Sequence, residues 1–340
     1  MSTIKDVAEK AGVAYSTASI ALRGVGSVKG ATRERVLRVA AELGYQANPA
    51  AAALAGQRKR GARPQRRFGM AVVVAEGGEK DMALPGILAE GKALGYEVSL
   101  LPIAKLKPWR AGWRGLWHRG VEGLVLLPNW EWEQLDWRIP ELSRFAMVKL
   151  GRVLPELPVP LVRPSIVAMV EEGLDRIFAM GHQRVLCWAI RTPSRLDDDI
   201  RLGSFYAYRE NHLPKGCELD WRVLPGRSDE TRSRAALESL RKIRPDAVLS
   251  FPWSAWYWLR EAGIRMPEDL FFAGCPLRNQ GEPGAEDVPG MDPLRMEQGR
   301  LAVRRMHEQI LAGQRGIPEA FTETVVEPVW RGPELRRRRP

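Results

Sequence analysis

The stretch "TIKDVAEKAGVAYSTASIALRG", residues 3–24, decides the reading of the N-terminal part of the chain. Thr3 followed three residues later by Asp6 is a capping-box arrangement. Ile4, Val7, Ala8 and Ala11 then repeat at helical spacing, and Gly12 suits a helix stop. A second helix is expected over about residues 15–23. Ala14, Ala18, Ala21 and Leu22 share one of its faces and are small enough for close packing. Tyr15, Ser16, Ser19, Ile20 and Arg23 occupy the other. Thr32 reads as the cap of a third helix, with Val36, Val39, Ala40 and Leu43 on its apolar face and Gly44 at its end. A helix, a tight glycine turn and a second helix make the helix-turn-helix arrangement.

Charge supports that reading. The 340 residues carry a net charge of +11, and residues 1–67 hold thirteen Lys/Arg against four Asp/Glu, a net of +9. A basic N-terminal segment on a near-neutral body points to a polyanionic partner, nucleic acid first. An anionic membrane surface fits less well, because no large apolar face accompanies the charge.

After "ANPAAAALAG", whose Asn48 and Pro49 suit a helix cap and first position, six Lys/Arg fall within 58–67 among Gly and Pro. That stretch reads as a linker and a domain boundary. The Ala-rich turns before it are too short to be a stable helix alone. From Phe68 the texture changes. "FGMAVVVA", "YEVSLLPI", "VEGLVLLP", "FAMVKLG", "RVLCWAI", "DAVLSF" and "LFFAGC" read as strands, with helical patterns such as "ALPGILAEGKALG" and "VAMVEEGLDRIFAMG" among them. Such alternation predicts an α/β protein with mostly parallel sheets, and its length suits two lobes.

Other function classes find little support. "GVGSVKG" at 24–30 fits no phosphate-loop pattern and follows no strand. No G-x-S-x-G and no H-E-x-x-H occurs, and the four histidines are isolated, so nothing nominates an enzyme. "RLDDDIR" at 195–201 reads as a solvated, partly Arg-paired loop rather than a cation site. Cys187, Cys217 and Cys275 are odd in number and dispersed, which argues against a disulfide framework or a zinc site. Trp109, Trp113 and Trp117 form a helical stripe suited to core packing. Trp253, Trp256 and Trp258 follow a predicted strand end, where open α/β folds bind ligands. No apolar run reaches the length of a membrane span and no signal-peptide pattern opens the chain, so a cytoplasmic protein without metal or cofactor is expected.

The residues also resemble a known family. Asp6–Val7–Ala8, Ala11–Gly12–Val13, Thr17–Ala18–Ser19, Thr32–Arg33–Glu34–Arg35–Val36, Leu43–Gly44–Tyr45, Asn48 and Leu54–Ala55–Gly56 look like the DNA-binding headpiece of the LacI/GalR transcriptional regulators. More weakly, "GHQRVLCW", "REAGIRMPEDLFFAGC" and the segment from Met291 resemble the remainder. The resemblance implies an all-α helix-turn-helix headpiece (1–47), a hinge helix and basic linker (48–67), a periplasmic-binding-protein-like effector and dimerisation domain of two lobes (68–333) and a basic tail (334–340). It implies a homodimer, in this family more often a repressor, on a pseudo-palindromic operator of double-stranded DNA, one headpiece per half-site. Tyr15, Ser16 and Ile20 fall at base-reading positions. Thr3, Thr17, Ser19, Arg23, Thr32, Tyr45 and Asn48 fall at or near phosphate-contacting positions. The hinge, with Ala51, would place Leu54 as an apolar wedge in the minor groove.

For the sensor, the resemblance places Arg201 at an effector-contacting position. Trp253 and Pro276 stand where polar residues of the family commonly grip sugar hydroxyls. Two readings stay open: a small-molecule effector, a sugar or related metabolite, or a sensor that binds none and is constitutive or partner-controlled. Isoleucine at position 20, where the family commonly has an arginine, is suited to a thymine methyl rather than to guanine.

Overall fold

The computed structural model describes residues 4–14, 17–18, 21–22, 28, 30–43, 69–75, 78–128, 140–152, 157–192, 194–226, 228–277, 285 and 287–333. The chain divides into two compact units, 1–66 and 67–340.

In the first unit, α1 spans Ile4–Lys10 and α2 spans Gly30–Glu42, with Thr17, Ala18, Ala21 and Leu22 helical between them. Gly12, at φ +62, turns the chain out of α1. Its N–H donates to the Glu9 carbonyl at 3.1 Å and that of Val13 to Ala8 at 3.0 Å, the paired bonds of a Schellman stop. Val7, Ala8, Ala11, Ala18, Ala21, Val36, Val39 and Ala40 are buried together, with Leu22 and Leu43 packed on them. Two expectations change. Thr32 lies inside the first turn of α2 rather than capping it, because the helix already starts at Gly30. Ala14 is exposed: it precedes the second helix, and its carbonyl accepts the Ala18 N–H at 3.0 Å while its methyl stays outside the core. Gly44 lies outside the described residues.

Among the described residues the second unit holds two six-stranded sheets. The first contains β1 (Gly69–Val74), β2 (Glu97–Pro102), β3 (Val121–Leu126), β4 (Ala146–Leu150), β5 (Leu161–Pro164) and β11 (Glu323–Val326), in the order β11-β5-β4-β3-β1-β2. The second contains β6 (Arg184–Ala189), β7 (Glu218–Val223), β8 (Ala247–Ser250), β9 (Phe271–Gly274), β10 (Gly290–Asp292) and β12 (Val329–Arg331), in the order β12-β10-β9-β8-β6-β7. The described pairings are parallel except β10 with β12. Both sheets thus share one winding, with the strand order reversing between β1 and β3 and between β6 and β8. Ligands of doubly wound folds sit beyond the strand ends at such reversals.

Helices cover both faces of each sheet because the strands are apolar on both sides. In the first lobe α3 (Leu84–Ala93) and α9 (Arg295–Leu311) pack one face, and α4 (Trp109–His118) packs the other. Trp113 of the tryptophan stripe is buried there, while Trp117 stays partly exposed against Phe145. In the second lobe α5 (Ile166–Ala179) and α6 (Arg195–Asn211) cover one face, α7 (Asp229–Ile243) and α8 (Ala255–Glu261) the other. The chain passes between lobes after β5, β10 and β11. The "RLDDDIR" stretch is the start of α6, not a loop. The Ser194 hydroxyl caps it by accepting the Asp197 N–H at 3.2 Å, and Asp197 and Asp198 favour the positive end of the helix dipole.

Helices α3 and α9 approach closely at two glycines. A Cβ on Gly86 would lie 1.9 Å from the Met296 carbonyl oxygen, and one on Gly299 would lie 2.3 Å from that of Ala83. Gly86→Val is expected to destabilise the protein by about 2–3 kcal/mol through overpacking against backbone. Gly203→Ala, in open space on α6, is expected to stabilise it by about 0.5–1 kcal/mol. Denaturant unfolding of both variants checks the contrast.

Candidate functional site

Two regions hold the side chains that the sequence nominates, one in each unit. In the headpiece, Ala18 and Ala21 are 0% and 2% exposed, so the helix that contains them is registered by its small face. Thr17 and Thr32 are half-buried at the border of that core, and Arg35 and Arg38 of α2 are exposed. An exposed ion pair, Lys10–Glu42 at 3.3 Å, joins α1 to the end of α2. Of the other expected DNA-contacting residues, Thr3, Tyr15, Ser16, Ser19, Ile20, Arg23, Tyr45, Asn48, Ala51 and Leu54 lie outside the described residues.

In the second unit, Arg201 projects from α6 to the reversal point between β6 and β8. It is 9% exposed, and a buried guanidinium needs a counter-charge. Asp198, one turn earlier, supplies it: Oδ1 lies 3.0 Å from Arg201 Nη1. Asp198 is fixed in turn by the Thr192 hydroxyl at 2.9 Å and the Thr192 N–H at 3.1 Å. The guanidinium lies over the Phe251 ring, 5.4 Å from its centroid, just past the end of β8. Its contacts to the Ile190 carbonyl and the Thr192 hydroxyl are long, both 3.5 Å. Trp221 of β7 packs on Phe251 at 5.6 Å and on Phe205 at 5.1 Å. Its indole N–H is buried without a partner. Ile190, Asp198, Arg201, Trp221 and Val223 line a small pocket with room for little more than a water molecule.

Trp253 and Pro276 also stand beyond strand ends, after β8 and β9, but contacts do not join them to Arg201 among the described residues. Trp253 packs into the core on the opposite face of the sheet, stacked on Trp256 at 5.9 Å and edge-on to Phe272 at 6.3 Å. Its indole N–H is likewise buried and unpartnered. Pro276 is half-buried beside the fully buried Cys275. Sequence reasoning missed Asp198, Trp221 and Phe251. The three-residue spacing of Asp198 and Arg201 after a serine cap could have found the first. No local signal points to the aromatic pair, which the sheet brings together from strands far apart in sequence.

None of this resembles a catalytic apparatus. Burial pushes the Cys187 and Cys275 thiols up, which keeps both protonated. His307 Nδ1 is engaged with the Tyr96 hydroxyl at 2.7 Å, and the His182 ring packs on Phe271. Among the described residues no group of His, Cys, Asp and Glu could hold a metal ion, and no helix is long and apolar enough to cross a membrane.

A helix-turn-helix unit carried with a two-lobed, doubly wound α/β unit is the arrangement of a DNA-binding regulatory protein. The family described as "Bacterial regulatory proteins, lacI family" matches residues 3–48. The chain is 30% identical over 327 residues to the HTH-type transcriptional regulator CelR of Thermobifida fusca, covering 89% of this chain and 92% of that protein. In fold it is similar to a "transcriptional regulator CelR-cellobiose complex" (TM-score 0.55, 23% identity, 97% and 98% of the two chains). It is also similar to a lac repressor dimer bound to operator and the anti-inducer ONPF (TM-score 0.53, 21% identity, 97% of each chain). The chain belongs to the LacI family and is a DNA-binding transcriptional regulator, not an enzyme.

Removing Asp198 strands the Arg201 charge in a buried site. Asp198→Ala is expected to destabilise the second unit by about 3 kcal/mol. Asp199→Ala, which loses only an exposed pair with Arg195, is expected to stay within about 0.5 kcal/mol. Urea unfolding followed by tryptophan fluorescence checks both.

Proposed function

We propose that this regulator binds a pseudo-palindromic operator as a homodimer, one headpiece per half-site, most simply as a repressor. The observation that carries the reading is the burial of Ala18 and Ala21, which commits one face of the second helix to the headpiece core. At helical spacing from that face, the sequence assigns Ser16, Ile20 and Arg23 to the opposite side, where the major groove would lie. Tyr15, Ser16 and Ile20 read bases. Thr3, Thr17, Ser19, Arg23, Thr32, Tyr45 and Asn48 hold phosphates, and the hinge with Ala51 and Leu54 enters the minor groove. Dimerisation is supported by the likeness to a lac repressor dimer on operator and by two exposed leucines on neighbouring elements, Leu88 of α3 and Leu100 of β2.

The second unit is the sensor. Arg201, with Trp221 and Phe251 beside it, is its best candidate effector contact, and Trp253 and Pro276 flank the same strand ends. The CelR structure carries cellobiose, which makes a sugar the first ligand class to try. A specific observation favours the alternative of a sensor without a small molecule: among the described residues the pocket at Arg201 has room for little more than a water molecule, and Arg201 is already neutralised by Asp198. A thermal-shift screen of sugars and glycosides separates the two. A saturable shift that also changes operator affinity supports the effector reading, and its absence across the screen supports the other.

Selection of bound DNA from a random pool tests the DNA-binding reading. A palindromic consensus bound at least about tenfold more tightly than random DNA is expected, with affinity falling steeply as salt rises. Binding without such a preference contradicts it. Ile20→Arg is expected to change the selected base pair toward G·C at one position of each half-site. An unchanged consensus would remove Ile20 from the base-reading set.

A further inference from the structure

The two lobes of the second unit are joined by an ion pair as well as by the chain. Arg152 follows β4 in the first lobe, and Asp197 lies in the first turn of α6 in the second. Arg152 Nε and Asp197 Oδ1 are 3.0 Å apart, and the two side chains are 14% and 17% exposed. Each partner is positioned by its own lobe. Arg152 Nη2 donates to Glu323 Oε2 of β11 at 2.7 Å, and Arg163 Nε of β5 donates to the same carboxylate at 3.0 Å. The buried Lys149 ammonium lies close by and donates to the Leu157 carbonyl at 2.7 Å. On the first-lobe side, two guanidinium groups therefore share one carboxylate. Asp197 brings a second carboxylate from the opposite lobe.

We propose that Asp197 is a latch residue, docking on the Arg152–Arg163 pair that shares Glu323 and thereby holding the two lobes closed. The argument is one of charge and solvation. Opened, the lobes would leave Arg152 and Arg163 with Glu323 alone, one carboxylate for two guanidinium groups. Closed, Asp197 offsets that excess in a partly dry site, where Coulomb attraction is weakly screened. The same helical turn connects the latch to the sensor pocket. Asp197 faces Arg152, and its neighbour Asp198 faces Arg201. The latch itself does not depend on the operator reading.

The test uses the full chain with two spin labels on non-natural amino acids, one at exposed Lys105 in the first lobe and one at exposed Glu238 in the second. Pulsed electron resonance then reads the inter-lobe distance. Asp197→Asn and Arg152→Gln are both expected to lengthen and broaden the distribution, while Asp197→Glu, which keeps the charge, returns it toward that of the unsubstituted protein. The Ser194 cap is kept in each variant because it meets the Asp197 backbone N–H. An unchanged distribution in both neutralised variants overturns the latch, as does an Asp197→Glu variant as open as Asp197→Asn. Operator binding measured on the same samples is a separate result: its loss at an unchanged distance bears on DNA recognition and leaves the latch standing.

Discussion

A buried arginine cannot stand alone, and the second unit is organised around that constraint. Arg201 reaches the reversal point of the sheet because Asp198 neutralises it, and Asp198 is held by Thr192. Both charges depend on α6 starting where it does, at the Ser194 cap. The first turn of that helix then presents two adjacent carboxylates to two different arginines, one in each lobe. Burial raises the Asp197 carboxyl above the usual carboxylate range, and Arg152, Arg201 and Arg163 offset only part of that. The balance is between desolvation and close cations.

The headpiece is governed by size rather than charge. A left-handed Gly12 lets α1 end abruptly, and Val13 folds back onto Ala8. Alanines at 18 and 21 let the next helix approach α1 and α2 closely. Larger residues there would move the helix away from its supports. Close packing thus fixes one face and leaves the chemistry of the other free to vary, which is how one scaffold can serve different DNA sequences.

Much of this was legible in the sequence. The Gly12 stop and the apolar rows of Val7, Ala8, Ala11, Val36, Val39 and Ala40 follow from periodicity and turn chemistry. So do the central strands, whose continuous apolar runs belong to sheets buried on both faces. The rest needed three dimensions. Three consecutive aspartates look like a solvated loop until Ser194 is recognised as a cap. Trp221 sits in β7, whose charged neighbours dilute its apolar signal, and it meets Phe251 only because β6 separates β7 from β8 in the sheet. Arg152 and Asp197 are forty-five positions apart and belong to different lobes. Trp253 follows a strand end, where ligands of such folds bind, and only the three-dimensional packing shows its ring set against the core on the other face of the sheet from Arg201.

The central claim is that two headpieces of one dimer read two half-sites in a fixed geometry. Its most direct measurement compares affinity for the selected palindrome with affinity for the same palindrome carrying five extra base pairs at its centre. The insertion rotates one half-site by about half a helical turn and leaves every base contact available. The account predicts a loss of about a hundredfold, close to the affinity for a single half-site. Equal affinity for the two duplexes would contradict it.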